Sequence, residues 1–122
     1  MESVAEFFER YLDAWNDPVR LSAFYAEPFI AARMGAVRLN ARTADTQRFF
    51  EEVLAKYREK GFSRAKQLSL DVVALGVNSE LATVRWAYLG ANEDALWEWV
   101  FSYNLYKLPD GRKILLQTLH DT

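Results

Sequence analysis

The sequence predicts an α+β domain, and three observations carry that reading. Val4, Phe7, Phe8, Tyr11, Leu12 and Trp15 recur at helical spacing near the start of the chain. A second helical stripe, Phe49, Phe50, Val53, Leu54 and Tyr57, precedes Gly61. From Ala65 onward the apolar period falls to two, the period of a strand with one buried face. Helices followed by a strand-rich half, with no repeat, linker or low-complexity stretch, make one α+β domain over residues 1–122.

Ser3-Val4-Ala5-Glu6 is a capping box, in which the Ser hydroxyl takes one free amide and Glu6 reaches back to another. Behind it Glu6, Glu9, Arg10 and Asp13 face water while the apolar stripe turns inward. Asp17-Pro18 reads as an N-cap with Pro at the first helical position. It opens a short helix through Leu21, Phe24 and Tyr25 that ends before Pro28. Phe29 to Met34 and Ala36 to Leu39 form two short strands about Gly35, and Thr43 to Lys60 is the long helix that Gly61 terminates. The remaining strands are Lys66–Leu75, Leu81–Leu89, Ala95–Leu108 and Arg112–Leu119, separated by Gly76–Ser79, Gly90–Asp94 and Pro109-Asp110-Gly111.

The strand from Leu96 to Tyr106 places Trp97, Trp99, Phe101, Tyr103 and Leu105 on one face. Glu98, Val100, Ser102, Asn104 and Tyr106 fall on the other. A two-residue turn at Asn92-Glu93 sets Trp86 opposite Trp99, Tyr88 opposite Trp97 and Val84 opposite Phe101. The same register puts Thr83, Arg85 and Ala87 beside Ser102, Val100 and Glu98, which keeps the two faces segregated, whereas a five-residue loop would mix them; the segregated register is the favoured one. So aromatic a face needs a core, a ligand cavity or a second subunit opposite it.

Composition narrows the function. Apolar residues make up 51% and charged residues 26% of the 122, the balance of a soluble globular domain. Phe, Tyr and Trp reach 15%, more than a minimal core requires, so part of that area is assigned to a cavity or interface. A net charge of −2 with dispersed Arg and Lys argues against nucleic acid as a partner. With no cysteine there is no disulfide framework, thiol nucleophile or zinc–thiolate site. The acidic N-terminus lacks a signal-peptide pattern and no apolar run approaches a membrane span, so a cytoplasmic protein without membrane contact is expected.

The order helix, short helix, hairpin, long helix and four long strands resembles the nuclear transport factor 2-like superfamily, which includes SnoaL-like cyclases and ketosteroid isomerase-like proteins. The resemblance is carried by Phe7-Phe8-Glu9-Arg10-Tyr11-Leu12-Asp13-Ala14-Trp15, by Tyr57-Arg58-Glu59-Lys60-Gly61, and by the strand–turn–strand from Tyr103 through Asp110-Gly111 to Ile114. It implies three helices packed in the concave side of a strongly curved antiparallel or mixed sheet, a cone-shaped, cystatin-like α+β roll with an internal pocket. It also implies a homodimer through the outer face of the sheet. It implies no activity, because this fold hosts isomerases, cyclases, hydrolases and plain binding modules.

Residue by residue, the chemistry is sparse. The hairpin Met34–Asn40 has no carboxylate to serve as an isomerase base. Arg85, placed like the Arg of an epoxide hydrolase site, has Ala87 where a carboxylate is needed, and pairs instead with Glu98 across the outer face. His120, the lone histidine, is the candidate proton carrier, beside Asp121. A two-residue turn at Asp110-Gly111 puts it opposite Phe101 on the aromatic face; the alternative is an exposed residue near the chain end. One histidine makes a catalytic metal site unexpected, and no phosphate loop or nucleophile elbow occurs, so no cofactor is indicated. The expected protein binds an apolar or aromatic small molecule through Tyr11, Trp15, Tyr25, Trp86, Trp99 and Tyr103. If it is instead an acid–base enzyme, His120 or Tyr103 moves the proton and Arg33 stabilises negative charge. In a third reading the aromatic face is consumed by dimerisation alone.

Overall fold

Ser3 and Glu6 close the capping box that begins the first helix, α1 (Val4–Asp13): the Glu6 amide donates to the Ser3 hydroxyl and the Ser3 amide to the Glu6 carboxylate. Asp17 caps α2 (Pro18–Ser22) by accepting from the Val19 and Arg20 amides. In the computed structural model, which describes residues 2–121, β1 (Tyr25–Arg33), β2 (Ala36–Asn40), α3 (Thr43–Glu59), β3 (Arg64–Ala74), β4 (Ser79–Leu89), β5 (Ala95–Leu108) and β6 (Gly111–Leu119) follow. Gly61, at φ 91°, supplies the left-handed residue that stops α3.

The six strands form one open sheet in the order β2-β1-β6-β5-β4-β3, with β1 parallel to β6 and every other pair antiparallel. The fold is the expected α+β roll. The inner sheet face, with Val84, Trp86, Tyr88, Phe101, Tyr103, Leu105 and Ile114, shares one apolar core with Phe7, Phe8 and Tyr11 of α1 and Phe49, Phe50 and Tyr57 of α3. Each such side chain contributes about 1.5–3 kcal/mol by leaving water. At the far end of the sheet Arg112 is 7% exposed and meets Glu80 at 3.0 Å, while a second nitrogen donates to the Glu2 carbonyl at 2.8 Å. This guanidinium fastens the start of the chain to β4 and β6.

The β4–β5 register is the expected one, with Trp86 opposite Trp99, Tyr88 opposite Trp97 and Val84 opposite Phe101. Arg85 meets Glu98 at 3.5 Å on the outer face. The turn differs from expectation. The Glu93 amide donates to the Gly90 carbonyl, which centres the turn on Ala91-Asn92, and Glu93 takes φ 65°. A bulge between the Tyr88 and Leu89 pairings then absorbs the extra residue and restores the segregated register.

Two further expectations are corrected. Tyr25 is not the end of the short helix but the first residue of β1, because pairing with Ile114 of β6 outweighs local helical spacing. Between Tyr25 and Ile30 the strand bulges past β6, and Pro28, which has no amide to offer a ladder, lies within that bulge. In the last hairpin Leu108 pairs with Gly111, so the turn is Pro109-Asp110 and not Asp110-Gly111. A bulge at Leu115 recovers one residue of the two, leaving Leu119 and not His120 opposite Phe101.

Between the sheet and α1 the Trp86 indole N–H donates to the Tyr103 hydroxyl at 2.8 Å, both residues being 1% exposed. Tyr103→Phe removes that acceptor and strands a buried donor, so a loss of about 1–3 kcal/mol is expected in urea unfolding. A cost near zero means the indole finds another partner.

A cationic cavity between the long helix and the first hairpin

A helix crossing a hairpin leaves a wedge wherever their side chains differ in length. Here α3 presents Phe49, Glu52, Val53, Lys56 and Tyr57, residues of one helical face, and its C-cap Lys60 toward the β1–β2 hairpin. With Ala31, Arg33, Met34 and Arg38 of the hairpin and Trp99 of β5, they line a cavity of about 400 Å³. That volume lies in the range that accepts small organic ligands.

Arg33 sets the character of this cavity. It is the last residue of β1, pointing to the inner face, since Ala32 pairs outward with Thr118. Its guanidinium donates to the Tyr57 hydroxyl at 3.1 Å and lies over two rings, 5.4 Å from the centroid of Trp99 and 5.7 Å from that of Phe101. Such cation–π contacts are worth about 0.5–2 kcal/mol each and hold the plane of the group. Among the described residues no carboxylate pairs with Arg33, Lys56 or Lys60; Lys60 lies over Trp97 at 5.6 Å. Glu52 is engaged by Arg38 at 2.8 Å, which holds its carboxyl below the usual carboxylate range. Glu52 is therefore an occupied and weakened base.

Behind Arg33 lies a buried cluster of tyrosines. The Tyr11 and Tyr25 hydroxyls share a hydrogen bond, Tyr11 stacks on Trp86 with centroids 5.9 Å apart, and Tyr57 packs edge-on against Tyr88 at 5.3 Å. Burial pushes the Tyr11, Tyr25, Tyr88 and Tyr103 hydroxyls above their ordinary value of 10.0. It also raises Tyr57, against the opposing pull of Arg33. All remain neutral donors at physiological pH. Among the described residues the Tyr88 hydroxyl and Gln117 Oε1 find no protein partner, so the interior is polar at its centre as well as aromatic.

The expected site residues thus divide. Trp99 and Arg33 line the cavity together. Tyr11, Trp15, Tyr25, Trp86 and Tyr103 are buried in the aromatic interior and present no open surface. His120 is exposed on the opposite face of the sheet, where its Nε2 lies 2.7 Å from the Ser102 hydroxyl and its amide donates to Val100. It does not share a volume with Arg33, because the shifted last hairpin turned it outward. Tyr57, Lys56 and Lys60 were not foreseen as site residues. Their signal was present as a buried stripe flanked by two lysines one turn apart, but nothing in it told which strand it faces. Among the described residues no group of His, Cys, Asp and Glu is placed to hold a metal ion.

A family described as NTF2-like protein (DUF6841) matches residues 2–122. The chain belongs to that family. No match was found among curated proteins. Among solved structures, an NTF2-like protein of unknown function from Shewanella oneidensis superposes with a TM-score of 0.71 at 17% identity, over 97% of this chain and 96% of that one. An NTF2-like protein with a cystatin-like fold from Novosphingobium aromaticivorans gives 0.76 at 14% identity, over 95% and 77%. The yeast UBP3-associated protein BRE5 gives 0.76 at 16%, over 98% and 97%. At these identities the likeness of this NTF2-like domain to its neighbours is one of fold.

The tyrosines give the NTF2-like core an alkaline limit. Their folded values lie above the unfolded one, so the unfolded chain loses protons first as the pH rises. The associated stability is complete below about pH 10 and declines above it. In an alkaline titration the phenolate absorbance of Tyr11, Tyr25, Tyr88 and Tyr103 is expected to appear together with loss of near-ultraviolet circular dichroism. Ionisation of all the tyrosines in a still-folded protein contradicts this burial.

Proposed function

We propose that this NTF2-like protein binds a small apolar or aromatic molecule in the cavity between α3 and the β1–β2 hairpin. The observation that carries the reading is the half-buried face of Trp99 in a cavity wall, beside a guanidinium with no carboxylate partner among the described residues. Phe49, Val53 and Ala31 supply the rest of an apolar lining. A catalytic role has less support. The buried polar residues among those described are Ser22, Asn40, Thr46 and Gln117, none of which moves a proton near neutral pH. Trp99→Ala is expected to lower affinity for a bound aromatic compound at least about tenfold, since an aromatic contact is worth about a kcal/mol or more beyond its area. Native mass spectrometry of the purified protein, with and without the substitution, checks this. Equal retention by both forms excludes the cavity.

We further propose a homodimer through the outer face of the sheet. Leu39, Ile30, Leu116, Asn104, Leu81 and Val73 are successive cross-strand partners, so five apolar residues form a row across all six strands. At about 4.8 Å per strand the row is roughly 24 Å long, wide enough for the centre of a standard interface. Light scattering is expected to give twice the 14.1 kDa chain mass, and Ile30→Glu is expected to return the protein to one chain. A monomeric wild type at micromolar concentration rules the dimer out.

A further inference from the structure

We infer that the molecule this cavity takes is an organic anion: a flat apolar body carrying a carboxylate, with Arg33 as the group that pairs with it. The inference rests on the cavity being a binding site and names the chemistry of its occupant. The walls hold four cationic side chains, Arg33, Arg38, Lys56 and Lys60, against the single carboxylate of Glu52. This concentration occurs in a chain whose net charge is −2. Arg38 is neutralised by Glu52. Lys56 and Lys60 alone would read as an ordinary wet helix face near a C-terminus. Arg33 does not fit that description. It is half-buried, its plane is held by Trp99 and Phe101, and Tyr57 takes one of its five N–H donors as its only side-chain hydrogen bond among the described residues.

A guanidinium drawn out of water without a carboxylate partner is held at a cost. A planar carboxylate accepting two parallel hydrogen bonds offsets that cost best, because its geometry matches the fork of the guanidinium. Trp99 then supports the apolar body, since its ring lies against Arg33 and the residue also lines the cavity. Lys56 and Lys60 line the same cavity from α3, where two further positive charges draw an anion toward it. Tyr57 stays protonated through burial, and rotation of its hydroxyl leaves it able to donate to the second carboxylate oxygen.

The test compares 2-naphthoate with its neutral isostere 2-naphthamide, following quenching of tryptophan fluorescence in the wild type, Arg33→Met and Trp99→Ala. Expected is at least about tenfold tighter binding of the acid than of the amide by the wild type, weakened by added salt. Arg33→Met should abolish that preference, and Arg33→Lys should restore part of it. The wild-type comparison needs no variant, so misfolding of Arg33→Met leaves it intact. Equal affinity for acid and amide, lost together in Trp99→Ala, overturns the anion inference and keeps the cavity as a binding site. Absence of saturable binding by either compound overturns both.

Discussion

Aromatic rings at every second position of two neighbouring strands cannot be left in water, and this constraint organises the molecule. Trp86, Tyr88, Trp97, Trp99, Phe101 and Tyr103 occupy one face of β4 and β5 because the two strands pair in a single register. Each ring has on the order of 150–250 Å² to cover. One helix is too narrow to cover so broad a surface. Two are used: α1 covers the end with Trp86 and Tyr103, and α3 the end with Tyr88, Trp97 and Trp99. The cavity is where the second cover stops short of the first hairpin.

Polar groups inside this aromatic shell follow from the same choice of residues. Tyrosine brings area and a hydroxyl together, so a core rich in tyrosine must accommodate those hydroxyls among themselves. The structure pairs Tyr11 with Tyr25, Tyr103 with the Trp86 indole and Tyr57 with Arg33, and leaves the Tyr88 hydroxyl without a protein partner among the described residues. Arg33 is therefore at once the partner of a buried tyrosine hydroxyl and a cationic group facing the cavity. A change at the cavity wall acts directly on a residue of the core.

Much of this was legible in the sequence because period and capping are local properties. The capping box at Ser3, the Pro18 helix start, the Gly61 stop and the alternation of β4 and β5 each lie within a few residues of their cause. The features that escaped are set by partners distant in the chain. Tyr25 became a strand residue through Ile114, far along the chain but adjacent in space because β6 lies beside β1. The bulge at Leu115 carries no residue signature, yet it decided which face His120 occupies. Within the site, Arg33 and Trp99 could be named from their strands. Lys56 and Tyr57 could not, since a helix face says only that something opposes it.

The position of β6 has a consequence for how the chain comes to be assembled. β6, the last of the six described strands in chain order, is not an edge: it is inserted between β1 and β5 and joins the hairpin half of the sheet to the meander half. Until it emerges, the first two strands have no ladder beyond each other, and the rings of β5 lack their inner neighbour. Completion of the sheet is thus deferred to β6, whose pairing with β1 closes a very long loop and is entropically slow. A nascent polypeptide of this design must keep its aromatic surface out of trouble until β6 has emerged, and loss of β6 would divide the sheet through the middle instead of trimming its rim.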